Sequence, residues 1–257
     1  MFAILHPPTI VPPFYPARPV NGGPLPIALP KSGRWTLEGK YNGWRAWVHN
    51  PTGAMFNRDL EPLSINLEFE PALHLLRAMP WEWSDVEALE RRHDIGRGSL
   101  ILLDYLPVNP AETYTERKSY LHLCASVMPS RGSAGGIEVH KALDKPIAAN
   151  RIYLPMTWTM SGGNLPLGIP SPLPPDGRGE GQGEVRDLDD WDFTRPSALE
   201  VWDILQLCNQ ALGCTGGKGR APFWEGLVSK RNDSVYPRQR RNAGLEFPYW
   251  MKHRWAY

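Results

Sequence analysis

Glu38-Gly39-Lys40-Tyr41-Asn42-Gly43-Trp44-Arg45 is the stretch on which the rest of the chain is organised. Trp35 to Lys40 reads as a strand, and Asn42-Gly43 is a dipeptide that favours a tight turn. Lys40 therefore ends a strand, between a glycine and a tyrosine, with Gly43 and Arg45 one turn away. On these residues alone, an exposed lysine beside an ordinary hairpin is the plainer reading. The segments that follow change it.

The chain has 257 residues, 42% hydrophobic and 21% charged, the balance of a soluble globular protein with ample core. A net charge of +1 excludes a polycation. The charge is uneven, however. From Lys218 onward, nine cations (Lys218, Arg220, Lys230, Arg231, Arg238, Arg240, Arg241, Lys252, Arg254) face Glu225, Asp233 and Glu246, which makes this region a candidate phosphate-facing surface. Cys124, Cys208 and Cys214 cannot all pair and lack metal-site spacing, which points to a reducing compartment. With no apolar run of membrane-spanning length and no signal-peptide pattern, the expectation is a cytoplasmic protein without a membrane partner.

Residues 1–30 hold nine prolines and read as an extended arm without regular structure. Residues 31–257 read as one domain. Arg45–His49 and Ala54–Arg58 flank Asn50-Pro51-Thr52-Gly53 as a hairpin. Pro71–Met79 and Glu112–Val127 carry helical spacing, and Ser99–Leu106 is a buried strand ending in Asp104. Arg151–Trp158 reads as one further strand. Between 161 and about 187, the Pro- and Gly-rich composition predicts a flexible insertion. Ser197-Ala198-Leu199-Glu200 opens a helix with a capping box, with Leu199, Trp202, Leu205 and Leu212 on its apolar face. Phe223–Lys230 and Trp250–Trp255 read as strands. The sum is an α+β domain whose eleven tryptophans are mostly core.

Five pieces follow Lys40 in order: Phe56-Asn57-Arg58, Asp85-Val86-Glu87, Leu102-Leu103-Asp104-Tyr105, Glu225-Gly226-Leu227-Val228-Ser229-Lys230, and Trp250-Met251-Lys252-His253-Arg254. As an ordered set they resemble the covalent nucleotidyltransferase superfamily of ATP-dependent DNA ligases, RNA ligases and mRNA capping enzymes. Tyr114-Thr115-Glu116-Arg117 and Asp233-Ser234-Val235-Tyr236 add smaller echoes of the ligases. The resemblance spans about residues 34–257. It implies a ligase-type, ATP-grasp-like fold of antiparallel sheets flanked by helices, with no C-terminal OB domain following the last motif.

The resemblance also implies roles. Lys40 would be the nucleophile that takes AMP from ATP. An amine must be neutral to attack phosphorus, and a free lysine titrates near about 10.4, so nearby cations and burial must assist. Lys230, Lys252 and Arg254 would supply that cationic field and bind the α-phosphate. Glu38 belongs to the cofactor-binding set. Glu87 and Glu225 would handle the ribose and Mg2+, with Mn2+ as a substitute. Arg45 and Arg58 would bind ribose and polynucleotide phosphate, and Asp104 is a weaker cofactor-binding candidate that could equally be a strand-end residue.

Three departures stand out. Asn42 replaces the family's aspartate, Arg254 replaces its second terminal lysine, and Leu102-Leu103 occupy the usual base-covering aromatic position, leaving Tyr105, Trp44 or another ring to stack on the base. The implied activity is polynucleotide ligation through lysyl-AMP, with DNA favoured over RNA as the nicked or broken partner. The implied lack of an OB domain leaves room for a partner protein that supplies such a clamp. A capping-type guanylyltransferase and a non-catalytic nucleotide- or end-binding module remain the alternatives.

Overall fold

The computed structural model describes residues 10–23, 33–89, 94–128, 136–161, 197–214, 221–240 and 246–255. Among these residues, eleven strands form two sheets. The first, five-stranded, has the order β1 (Arg18–Asn21), β11 (Glu246–Arg254), β10 (Trp224–Arg231), β2 (Arg34–Tyr41), β9 (Thr157–Ser161). The second, six-stranded, has the order β4 (Ala54–Phe56), β3 (Trp44–His49), β5 (Trp83–Leu89), β6 (Ser99–Tyr105), β8 (Ile152–Leu154), β7 (Ile137–Val139).

The sheets are mixed rather than wholly antiparallel, which corrects the expectation. β7 and β8 run parallel to each other, and β8 runs parallel to β6. The return that a parallel neighbour needs is made by α2 (Tyr114–Val127), which carries the chain back from the end of β6. A third parallel pair joins β1, near the start of the chain, to β11, near its end. The helices α1 (Glu70–Leu76) and α3 (Ala198–Ala211) complete the architecture.

Three other expectations change. The arm is not irregular throughout, because its residues 18–21 form β1 on β11. The single strand read over 151–158 is two: β8 ends at Leu154, Pro155 cannot donate to a ladder, and β9 starts at Thr157 in the other sheet. On α3 the capping box forms as expected, with Glu200 N donating to Ser197 Oγ at 3.2 Å. Its buried stripe, however, is Ala198, Val201, Ile204, Leu205 and Cys208, while Trp202 packs on Trp255 with the two rings tilted by 57°. The insertion read at 161–187 lies outside the described residues beyond Ser161. The hairpin holds as expected, with Asn50 Nδ2 donating to Trp81 O at 2.9 Å to fix its turn.

Three apolar clusters hold the layers together. Leu73, Leu76, Val86, Leu100 and Leu121 pack α1 and α2 on the second sheet. Leu37, Trp224 and Leu227 meet Ile101, Tyr153 and the buried face of α3. Trp47, Trp83, Tyr114, Tyr236 and Trp250 form an aromatic cluster between the sheets, with Ala17 of the arm in it. All three cysteines are buried. Among the described residues, no helix is long and apolar enough to cross a membrane.

Candidate active site

On β2, side chains alternate, so Leu37 and Tyr41 enter the core while Glu38 and Lys40 share the opposite face. That face opens into a cavity of about 480 Å³ lined by both sheets. Nine of the ten residues selected from the sequence line it: Lys40, Lys230, Lys252, Arg254, Glu38, Arg45, Arg58, Glu87 and Glu225. They come from β2, β3, β5, β10, β11 and the loop after β4.

A bulge aims Glu225. In the ladder between β10 and β2, Trp224 pairs with Tyr41 and Gly226 with Lys40, so Glu225 is the extra residue. Its carboxylate ion-pairs with the Lys40 ammonium and lies 3.5 Å from Arg254 Nη2. The bulge demands glycine beside it. Gly226 has φ +140°, and a Cβ there would stand 1.9 Å from His253 O. Opposite, Gly43 N donates to Glu87 Oε1 at 2.9 Å, which fixes the second carboxylate. Burial raises the Glu87 carboxyl above its ordinary value, incompletely offset by Lys40, the Gly43 amide and Arg45.

Around these carboxylates the cations crowd. Burial first, then the like charges of Arg254, Lys40 and Arg58, lower the Lys252 ammonium below the ordinary lysine range. Seven cations line the cavity, counting Arg18 of the arm, against the four carboxylates Glu38, Asp59, Glu87 and Glu225. The cavity therefore favours an anion. Its volume falls within the range of small-molecule sites.

The remaining predicted residues have more internal roles. Arg45 is clamped to Asp85 by Nε at 2.9 Å and Nη2 at 2.5 Å, and burial opposes while Asp85 reinforces its charge. Glu38 lies at the cavity floor, but its carboxylate already accepts from Tyr114 OH at 2.5 Å and pairs with Lys118 and Lys230, both at 2.8 Å. It positions Lys230 rather than serving as an open nucleotide contact. Lys230 is further held over the Trp250 ring, 4.5 Å from its centroid.

Asp104 is the exception to the clustering, and a correction. It is buried outside the cavity, gripped by Arg117 Nε at 2.8 Å and Nη2 at 3.0 Å. Tyr105 is likewise no base platform, since it is buried, stacks on Trp81 and donates its hydroxyl to Glu112. Trp44, 45% exposed, lines the cavity wall, as do the buried rings of Tyr41 and Trp250. Asn42 donates Nδ2 to Pro222 O at 2.9 Å, a bond that needs an amide and that a carboxylate could not make.

Glu38 yields a pH-dependent expectation. Burial alone would raise its carboxyl, but Lys118 and Lys230 bring it from 4.5 down to about 2. Since folding lowers this value, the associated stability is complete above the unfolded value and is lost as pH falls toward the folded one. Glu38→Gln should therefore cost about 3 kcal/mol at neutral pH. In paired thermal melts the gap to wild type should narrow between pH 4.5 and about 2. An equal gap at both ends would contradict this account.

Lys118, Asp85, Arg117 and Arg18 were not selected from the sequence. Lys118 left one trace: it lies four residues after Tyr114 on one helix face, and both reach Glu38.

The fold these elements build is similar to that of a DNA ligase domain. The chain superposes on the crystal structure of the ligase domain of LigD from M. tuberculosis with a TM-score of 0.51 and 14% identity, covering 94% of this chain and 59% of that one. Other matches include mycobacterial DNA ligase D complexed with ATP and MES, at a TM-score of 0.48 and 15% identity, covering 93% and 60% of the two chains. Chlorella virus DNA ligase-adenylate matches with a TM-score of 0.46 and 14% identity, covering 95% and 68%. No protein-family model matches the chain, and no curated protein matches it by sequence.

Proposed function

We propose that the chain is the adenylyltransferase domain of an ATP-dependent polynucleotide ligase, with Lys40 as the nucleophile. The observation that carries this reading is the meeting of Lys40, Lys230, Lys252 and Arg254 with Glu87 and Glu225 around one cavity. A single reactive lysine, cations for phosphates and a pair of carboxylates are what nucleotidyl transfer needs.

In this reading, the Lys40 ammonium gives a proton to the neighbouring Glu225 carboxylate, and the neutral amine so formed attacks the α-phosphorus of ATP. The bond formed is N–P, and the P–O bond broken releases pyrophosphate. Lys252 and Arg254 stabilise the charge that develops on the phosphate oxygens. AMP then passes to a 5′-phosphate, and a 3′-hydroxyl displaces it to seal the strand.

A divalent cation fits the pair Glu87 and Glu225, because burial leaves Glu87 short of compensating charge. Among the described residues no group of three or more His, Cys, Asp or Glu gathers as a metal site, so phosphate oxygens would complete the shell. When bound, Mg2+ would neutralise phosphate charge. DNA is favoured over RNA because Glu38-Gly39-Lys40 through Arg45 and Glu225-Gly226-Leu227-Val228 are spelled more like the DNA enzymes.

Arg58 separates the steps. It is 72% exposed at the cavity mouth, with a 3.4 Å contact to Asp59. Arg58→Ala should leave covalent labelling by ATP within about twofold of wild type and slow sealing of nicked DNA by about 10- to 100-fold. Equal loss of both would place Arg58 on the nucleotide instead. Comparing nicked DNA with the matching nicked RNA in the same assay tests the strand preference.

A further inference from the structure

Arg18 has no task in the nucleotide chemistry above, yet the arm holds it at the mouth of the cavity with considerable precision. Ala17 N donates to Tyr236 OH at 3.2 Å, and that hydroxyl donates at 2.7 Å to Asp85, the carboxylate that clamps Arg45. On the other side, Gly22 N donates to Lys252 O at 3.0 Å, and His253 Nδ1 donates to Gly23 O at 2.9 Å. The segment is thus tied at both ends to strands and loops that carry the site. Pro16 and Pro19, which also line the cavity, further limit its backbone freedom.

At the mouth, Arg18 Nη2 donates to Asp59 Oδ1 at 2.7 Å and to Arg58 O at 3.0 Å. Its Nε is buried and without a hydrogen-bond partner among the described residues. Arg58 reaches the same Asp59, and the charge of Arg58 also bears on Lys252. Among the described residues, Asp59 is the one carboxylate in ion-pair contact with any of these three cations. Two guanidiniums sharing one half-exposed carboxylate, with Lys252 in the field of Arg58, are matched to an anion carrying more than one charge, and guanidinium forks suit phosphate oxygens. The side chains of Arg18 and Arg58 are 30% and 72% exposed, whereas those of Lys40 and Lys230 are 17% and 3% exposed. The outer cations face what arrives from solvent, and the inner ones face the nucleotide.

We propose that Arg18 is a specificity-determining residue which, with Arg58 and Lys252, reads the terminal 5′-phosphate of the polynucleotide that receives AMP. The identity of the phosphate-bearing molecule rests on the ligase reading; the juxtaposition of the cations does not.

Fluorescence anisotropy on a nicked duplex with a 5′-phosphate, against the same duplex with a 5′-hydroxyl, tests this. Wild type should prefer the phosphate by about tenfold. Arg18→Ala should bring the ratio close to one with covalent labelling by ATP unchanged, and Arg18→Lys should keep part of it. Asp59→Asn should raise the ratio, because it releases the Arg18 guanidinium. A merely structural tie between Arg18 and Asp59 would instead lower melting temperature in both variants and leave the ratio alone, and that outcome overturns the proposal. A higher KM for ATP at unchanged end preference assigns Arg18 to the leaving pyrophosphate and also overturns it. Failure of the ligase reading shows separately, as wild-type protein that takes no label, while the end preference is still measured by binding.

Discussion

Lys40→Ala is expected to lose covalent labelling by ATP completely and to lose ATP-dependent strand sealing by at least about a thousandfold. The fold should survive, since the Lys40 side chain points into the cavity and its partner Glu225 retains Arg254 at 3.5 Å. The same variant should still seal a nick whose 5′ end already carries AMP, because the last step needs the phosphate cations but no lysine nucleophile. Arg in place of Lys40 would keep the charge beside Glu225 and remain inactive in labelling, since guanidinium stays protonated. Quantifying sealed product on nicked and pre-adenylated substrates separates the nucleophile from the surrounding field. A Lys40→Ala protein that seals ordinary nicks with ATP at a rate near wild type would remove the nucleophile from the account.

The second large effect concerns stability. Asp104→Ala would leave the Arg117 guanidinium, fully buried and held by two bonds to that carboxylate, with an uncompensated charge. Breaking a buried pair on one side costs about 3–5 kcal/mol, out of a total stability of about 5–15 kcal/mol. The midpoint of thermal unfolding should fall by on the order of 10 °C for a domain of this size. Replacing both partners, as Asp104→Leu with Arg117→Met, should recover much of the loss, because no charge is then stranded. Labelling per folded molecule should not change. If Asp104→Ala instead melts like wild type and raises the KM for ATP, Asp104 touches the nucleotide and its placement away from the cavity is wrong.

These two residues also mark what was legible in the sequence. Lys40 and its companions could be read because each sits in a short local pattern: a strand end before Asn42-Gly43, a Glu225-Gly226 pair, a terminal Lys252-His253-Arg254. Asp104 sits in an equally good pattern, but whether a strand-end carboxylate faces a cavity or a helix depends on what packs there. Here Arg117 of α2 packs there, and nothing local in either segment announces the pairing. The same holds for Glu38, whose partners Lys118 and Lys230 are remote in sequence and become neighbours only when β2 lies beside β10 and under α2.

The arm illustrates a different blind spot. Its prolines remove backbone donors and mask strand periodicity, so β1 could not be read from Arg18-Pro19-Val20-Asn21. Its pairing is parallel and reaches the far end of the chain, with a register shift between Pro19 and Val20. In the same way, Pro155 breaks an apolar run that looked like one strand into two that serve different sheets. Turn chemistry at Asn50 to Gly53 and the capping box at Ser197 were readable because both are decided within four residues.

A nucleotide carried covalently on Lys40 would survive denaturation of the protein. The direct measurement is incubation of the purified chain, freed of bound AMP, with a divalent cation and α-labelled ATP or GTP, followed by denaturing electrophoresis. Label with ATP that survives denaturation and is released by pyrophosphate, with none from GTP, is the expected result. Label from GTP alone would turn the reading to a capping-type enzyme. No label from either, in protein shown by circular dichroism to be folded, would contradict the claim and leave a cavity that binds nucleotides or polynucleotide ends without reacting.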